Sequence, residues 1–226
     1  MNENFAEGRS LAFIFDLNGT MINDMEYHLT AWYTILNEEL GARLSREEVK
    51  GHMYGKNGEL LDRIFGKGHF TDQQVEEISL VKERNYQDAF RPHLELIAGL
   101  PEFLRKADQH HINMAIGSAA ITFNIDYILD NLSIRPYFKA IVSADDVTIS
   151  KPHPETFLKA AGLLDIAPPG CLVFEDAPKG VEAAYNAGMR CVVLTTMHGK
   201  EEFRDYPNIV HFIKDYRDPA LDELFA

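Results

Sequence analysis

Asp16, Ser118, Lys151, Glu175 and Asp176 are scattered along the chain, yet each stands at or shortly beyond the end of a short apolar run. Gathered at one place, the three carboxylates would repel one another at a cost on the order of several kcal/mol unless a cation lay among them. Hard oxygen donors point to Mg²⁺ as that cation. An ion held by one or two carboxylates that keeps several waters can grip a phosphate group. It also accounts for how a chain of net charge −13 could bind an anion. Lys151 adds a second positive charge and Ser118 a hydroxyl donor for a phosphoryl oxygen. With the metal on one side and the lysine on the other, the Asp16 carboxylate can approach phosphorus as a nucleophile despite its own charge. Any one of these carboxylates alone, and equally Asp145 or Asp146 after the third run, is an ordinary helix cap or turn residue. Recurrence after four successive runs is what argues for a site.

The runs that would carry these residues, 11–15, 112–116, 140–142, 171–174 and 191–194, are rich in Ile, Val and Phe and read as buried parallel strands. Helical patterns lie between them at 101–110, 122–132, 154–163 and 178–187, with a proline suited to the first turn of three and Gly188 placed to stop the last. Strand followed by helix, repeated, predicts a doubly wound α/β fold with a Rossmann-like parallel sheet, in which ligands bind beyond the carboxyl ends of the strands. Residues 25–90 break the alternation and read as an inserted helical cap of four helices, leaving 1–24 and 91–226 as the catalytic core. Leu29, Trp32, Tyr33, Leu36 and Leu40 share one helical face ending at Gly41, and Ser45 with Glu48 and Thr71 with Gln74 have capping-box spacing. The Trp32 stripe is read as packing within the cap.

Composition narrows the functional classes. At 226 residues and 46% hydrophobic content the chain can build a sizeable core. Its apolar runs fall far short of the roughly 18–20 residues a membrane helix needs, so a cytoplasmic protein is expected. The strong negative charge opposes nucleic acid or an anionic membrane as partner. A small phosphorylated metabolite, read from the carboxylate and lysine residues above, is the expected partner, and a monomer is expected. Cys171 and Cys191 open apolar runs without metal or redox spacing and read as small core residues. Adjacent His110 and His111 do not face one site on a helix, and the glycines at 51–58 and 66–68 fit no nucleotide fingerprint.

The segment Phe15-Asp16-Leu17-Asn18-Gly19-Thr20 resembles the first motif of the haloacid dehalogenase superfamily, and Ile116-Gly117-Ser118, Lys151-Pro152 and Phe174-Glu175-Asp176-Ala177 resemble the other three in order and spacing. The helical insertion is similar to that of the β-phosphoglucomutase-like subfamily. So are Glu26-Tyr27-His28 with Ala31-Trp32, and Lys82 ahead of Asn85-Tyr86. The resemblance implies a Mg²⁺-dependent phosphatase or phosphomutase that forms an aspartyl phosphate on Asp16, with Ser118 and Lys151 beside it. It implies metal ligation by Asp16, Asp176 and the main-chain carbonyl of Asn18, with Glu175 assisting through the metal shell. It further implies substrate binding by Gly19, Thr20, His28, Lys56, Lys82 and Ala119, and closure of the cap about hinges near 22–25 and 90–93. Two departures stand out: Ile121 lies near a position that is polar in the mutase, and 55–58 offers no arginine for a second phosphate.

Asn18 occupies the place where the superfamily keeps its general acid. An amide can hydrogen-bond but has no proton to give up near neutral pH. Three readings stay open: a natural asparagine in a lineage with another proton donor, an introduced trapping substitution, or partial conversion to aspartate, which the flanking Gly19 would permit. His28 is the obvious substitute acid, with ordinary packing as its alternative. A catalytically silent phosphometabolite-binding protein is the rival from another class, and a dehalogenase or phosphonate hydrolase is a third possibility.

Overall fold

The computed structural model describes residues 12–225, so Leu11, expected at the head of the first strand, lies outside the described residues. Ala12 to Phe15 alternate two small or branched side chains with two phenylalanines, all fully buried, and so form a strand covered on both faces, β1(Ala12–Phe15). It is a central strand of a six-stranded sheet with β2(Asn113–Gly117), β3(Ala140–Val142), β4(Cys171–Glu175), β5(Arg190–Leu194) and β6(Ile209–Ile213), in the order β3-β2-β1-β4-β5-β6. Every pairing is parallel, with Phe15 opposite Ile116 on one side and Phe174 on the other. The expected doubly wound α/β class is therefore observed. β6 is an addition to the expected strands. Its Ile-Val-His-Phe-Ile run is interrupted by a histidine and mostly half-buried, as befits an edge strand, so it lacks the unbroken apolar signature of the others.

The two faces of the sheet pack differently. Ala12, Ile14, Ala115, Val173 and Val193 pack with Phe157, Ala160 and Ala161 of α7(Glu155–Leu163) and with Val181, Ala183 and Ala184 of α8(Pro178–Asn186). On the opposite side Phe13, Phe15 and Phe174 meet Phe103 of α5(Leu100–Gln109) together with Tyr216 and Phe225. Phe15 and Phe174 stack with ring centroids 4.8 Å apart, which ties neighbouring strands immediately before Asp16 and Glu175. Pro101 and Pro178 lie in first helical turns as expected, whereas Pro154 is the residue preceding α7. Asp145 accepts from the amide of Thr122 at the start of α6(Thr122–Asn131), and Asp146 from the amide and hydroxyl of Ser143. Both are caps.

The chain forms two compact units, Met1–Asn23 with Glu95–Ala226, and Asp24–Leu94. The second is helical: α1(Met25–Thr34), α2(Arg46–His52), α3(Asn57–Phe65) and α4(Asp72–Phe90). Both anticipated capping boxes form, at Ser45–Glu48 and Thr71–Gln74. α1 runs on into a wider-wound turn over Ile35–Glu39, where the Leu40 amide reaches the Ile35 carbonyl. Ile35, at the head of that turn, is buried beside Leu29, Trp32, Leu36, Val49, Leu60 and Leu61. Among the described residues no helix is long and apolar enough to cross a membrane.

Phe103 touches five rings of the aromatic face. Phe103→Ala is expected to lower unfolding free energy by about 3–5 kcal/mol in urea titration; a loss below about 1 kcal/mol would show that this face does not hold the sheet.

Candidate active site

β1 and β4 are adjacent and in register, so the residues that leave their carboxyl ends leave side by side. The Asp16 amide still donates to the Phe174 carbonyl (2.9 Å), and the chain then turns through Leu17–Ile22. In that turn the amides of Thr20, Met21 and Ile22 all point at the Leu17 carbonyl, while the Gly19 amide donates to Ile22. Gly19 has φ +77°, and a Cβ there would lie 2.1 Å from Asp176 Oδ2. Glycine at 19 is thus required twice, by the backbone conformation and by the approach of a carboxylate from another strand. The Thr20 hydroxyl donates to Asp176 Oδ1 at 3.2 Å. Asp16 and Asp176, 160 positions apart in the chain numbering, are in this way brought to one loop.

Lys151 joins the group from the segment ahead of α7. Its buried ammonium donates to Asp16 Oδ1 at 2.7 Å and to Glu175 Oε1 at 2.8 Å, and it lies over the Phe157 ring. Burial works against the lysine charge, but attraction to Asp16 and Glu175 and the hydrogen bonds they accept outweigh it, so its pKa rises and it stays a cation. Glu175 is oriented by three donors: its Oε2 accepts from the amides of Asp176 and Ala177, both at 2.8 Å, and its Oε1 from Lys151. A Cβ at Gly180 would sit 1.7 Å from that carboxylate, so the first turn of α8 leaves room for it. Glu175 therefore fixes the lysine, with its oxygens engaged by Lys151 and main-chain amides.

Asp176 is nearly fully buried, and its pKa is raised well above the ordinary carboxylate value by burial first, then by the charges of Glu175 and Asp16. One lysine among three buried carboxylates leaves negative charge in excess, which suits a divalent cation. Among the described residues no three His, Cys, Asp or Glu side chains form a ready cage. Mg²⁺ needs none, since it keeps several waters and takes one or two carboxylates, so the residues present fit it. Ser118 is buried at the end of β2; its amide donates to the Val142 carbonyl and its hydroxyl accepts from Ala120, with half-buried Ala119 between them.

Three residues anticipated for substrate binding belong to the helical unit. Lys82 is buried there, with Nζ 2.6 Å from His28 Nδ1 and 3.0 Å from both oxygens of Glu83, and desolvation lowers its pKa. His28 Nε2 lies 3.3 Å from Asp24, its ring stacks on Tyr86, and the Tyr86 hydroxyl donates to the same Asp24 carboxylate. Asn57 donates to Glu83. This buried polar network was not legible in the sequence beyond His28 and Lys82, because Asp24 and Glu83 look like ordinary helix-end and helix-surface acids. Lys56 precedes α3, its amide donating to Glu59. Burial also pushes the Cys191 thiol up, in keeping with a core residue.

The chain matches the family model for haloacid dehalogenase-like hydrolases over residues 13–194. It is 34% identical over 189 residues to the β-phosphoglucomutase of Bacillus subtilis, covering 80% of this chain and 81% of that protein. It is 32% identical over 187 residues to the fructose-1-phosphate phosphatase YqaB of Escherichia coli, covering 81% and 96%. A crystal structure of β-phosphoglucomutase from Clostridium difficile superposes with a TM-score of 0.80 at 25% identity, over 96% of this chain and 97% of that one.

Because the Asp176 pKa is raised on folding, its charge costs stability, least near pH 4 and increasingly as pH rises above its unfolded value. Asp176→Asn is expected to stabilise the metal-free protein at pH 7 by about 0.5–2 kcal/mol while abolishing any gain in Tm from added Mg²⁺. Equal Mg²⁺ gains in the two proteins, read by thermal melts, would show that Asp176 does not carry the ion.

Proposed function

The chain belongs to the haloacid dehalogenase-like hydrolases, and from that premise we propose that it is a Mg²⁺-dependent phosphatase or phosphomutase acting on a small sugar phosphate through a phosphoryl group carried on Asp16. The observation that supports this reading is the Lys151 ammonium bridging Asp16 and Glu175, with Asp176 beside them at the ends of adjacent strands. Relatives named for sugar phosphates and alignable over about four-fifths of the chain support the substrate class.

Asp16, Asp176 and the main-chain carbonyl of Asn18 would hold the ion. When bound, Mg²⁺ would offset phosphate charge and polarise a phosphoryl oxygen. Lys151 neutralises Asp16 from the other side and aims its carboxylate. An Asp16 oxygen attacks phosphorus, the bond from phosphorus to the ester oxygen breaks, and the departing oxygen takes up a proton. Attack on phosphorus by water, or by a sugar hydroxyl in a mutase, then breaks the bond to Asp16 and frees its carboxylate, and the attacking oxygen gives up a proton to solvent that balances the one the departing oxygen took from solvent. Ser118 supplies a hydroxyl within the same strand-end cluster.

Proton delivery to the leaving oxygen is the weak step, since the Asn18 amide cannot provide it. Phosphates with acidic leaving groups, such as aryl phosphates, are affected least. Turnover of an activated aryl phosphate is expected to require Mg²⁺ and to vanish in Asp16→Ala. Asn18→Asp should raise kcat on alkyl sugar phosphates by about 10²–10⁴-fold and much less on the aryl ester. A steady-state panel run with both proteins checks this; binding of phosphate esters without turnover in either would instead make the chain a phosphometabolite-binding protein.

A further inference from the structure

The four sequence motifs end at Ala177, yet two hydroxyls from further along the chain close on the nucleophile loop. The Thr196 hydroxyl, two residues beyond β5, donates to the Gly19 carbonyl at 2.7 Å. The buried Tyr216 hydroxyl, three residues beyond β6, donates to the Thr20 carbonyl at 3.2 Å. Both residues lie outside the span 13–194 that the family model matches.

The need for them follows from the loop's own hydrogen bonds. Because three successive amides turn inward to the Leu17 carbonyl, the carbonyls of the same peptide units, Gly19 and Thr20 among them, turn outward and must find donors elsewhere. Left in a largely buried setting without donors, they would favour rearrangement of the loop. Neighbouring bonds make the clamp stiff. The Met21 carbonyl accepts from Ile97, Tyr216 donates its own amide to Ala98, and its ring packs on Phe15, Phe103 and Phe174. Thr195 is tied to Ile213 of β6 through both its amide and its hydroxyl, which holds Thr196 in place. The clamped residue Thr20 is the one that donates to Asp176, and the clamped Gly19 is the one that the Asp176 carboxylate approaches.

We infer that Thr196 and Tyr216 are positioning residues for the phosphoryl-transfer site: by holding two consecutive carbonyls of the nucleophile loop, they fix Gly19 and Thr20 against Asp176 and thereby the geometry between Asp16 and Asp176. This rests on the phosphotransfer reading for its catalytic consequence, but not for its structural one. β6, absent from the sequence-level expectation, thus acquires a function as the platform for one arm of the clamp.

The test uses the whole chain as Thr196→Val, Thr196→Ser and Tyr216→Phe, with Mg²⁺-dependent aryl phosphate kinetics and peptide-resolved amide hydrogen exchange. Thr196→Val should lower kcat about 3- to 10-fold with KM nearly constant and speed exchange at 17–22 by a similar factor, in line with the loss of one hydrogen bond. Thr196→Ser should restore both, and Tyr216→Phe should move both in the same direction as Thr196→Val. Unchanged exchange at 17–22 in both Thr196→Val and Tyr216→Phe overturns the inference. So does a failure of Thr196→Ser to restore what Thr196→Val loses, since the threonine would then act through its methyl group. Absence of turnover in the parent chain and in Asn18→Asp would refute the phosphotransfer reading, while the exchange measurements would still decide the clamp.

Discussion

A single ammonium group at 2.7 and 2.8 Å from two carboxylates of different strands is the contact around which the site is organised. Without Lys151, the buried carboxylates Asp16, Glu175 and Asp176 would lose the ammonium that donates to two of them, and their mutual repulsion would have to be offset by protonation or a metal. The lysine does not complete the neutralisation. Its one positive charge is shared between Asp16 and Glu175, and burial together with their remaining charge is felt at Asp176 as a pKa well above normal. The protein is in this sense built incomplete, with negative charge in excess where a divalent ion and a phosphate would enter together. On the proposed function, this excess is what would let a chain of net charge −13 bind an anion.

The rest of the core follows from the requirement that these side chains arrive together. Parallel pairing in register makes the ends of β1 and β4 coincide, and the stacked Phe15 and Phe174 rings hold the last residues of those strands. Two glycines then let carboxylates approach where a Cβ could not stand: Gly19 faces Asp176, and Gly180 faces Glu175. Their roles differ. Gly19 allows the loop and the carboxylate to approach each other, whereas Gly180 lets Glu175 fold back onto the amides of residues 176 and 177, where it orients the lysine.

Much of this was legible in the sequence, because buried parallel strands are short unbroken apolar runs and the reactive residues directly follow them. The capping boxes at Ser45 and Thr71 were likewise readable, since each depends on two side chains three residues apart. What could not be read depends on longer-range geometry. β6 is a half-buried edge strand whose pattern is broken by His211, and Thr196 and Tyr216 are a threonine and a tyrosine until the loop they hold is seen. Glu175 is another instance: its type and position announce a carboxylate of the site, but its engagement by Lys151 and two amides appears only in three dimensions. Asp24 and Glu83 acquire meaning through Tyr86, His28 and Lys82, which are distant in sequence or hidden on another face of a helix.

In the proposed enzyme Asn18 would separate phosphoryl capture from proton delivery: Asp16, Lys151 and a bound ion would serve the first, and the Asn18 amide cannot serve the second. The most direct test of the account is to find where the phosphoryl group goes. The chain would be mixed with an activated aryl phosphate and Mg²⁺, quenched with borohydride, which reduces an acyl phosphate to the alcohol, and mapped by peptide mass spectrometry. Conversion of Asp16 alone, lost when the metal is chelated, is the predicted result; turnover that proceeds with Asp16 unmodified, or with another residue converted, would contradict it.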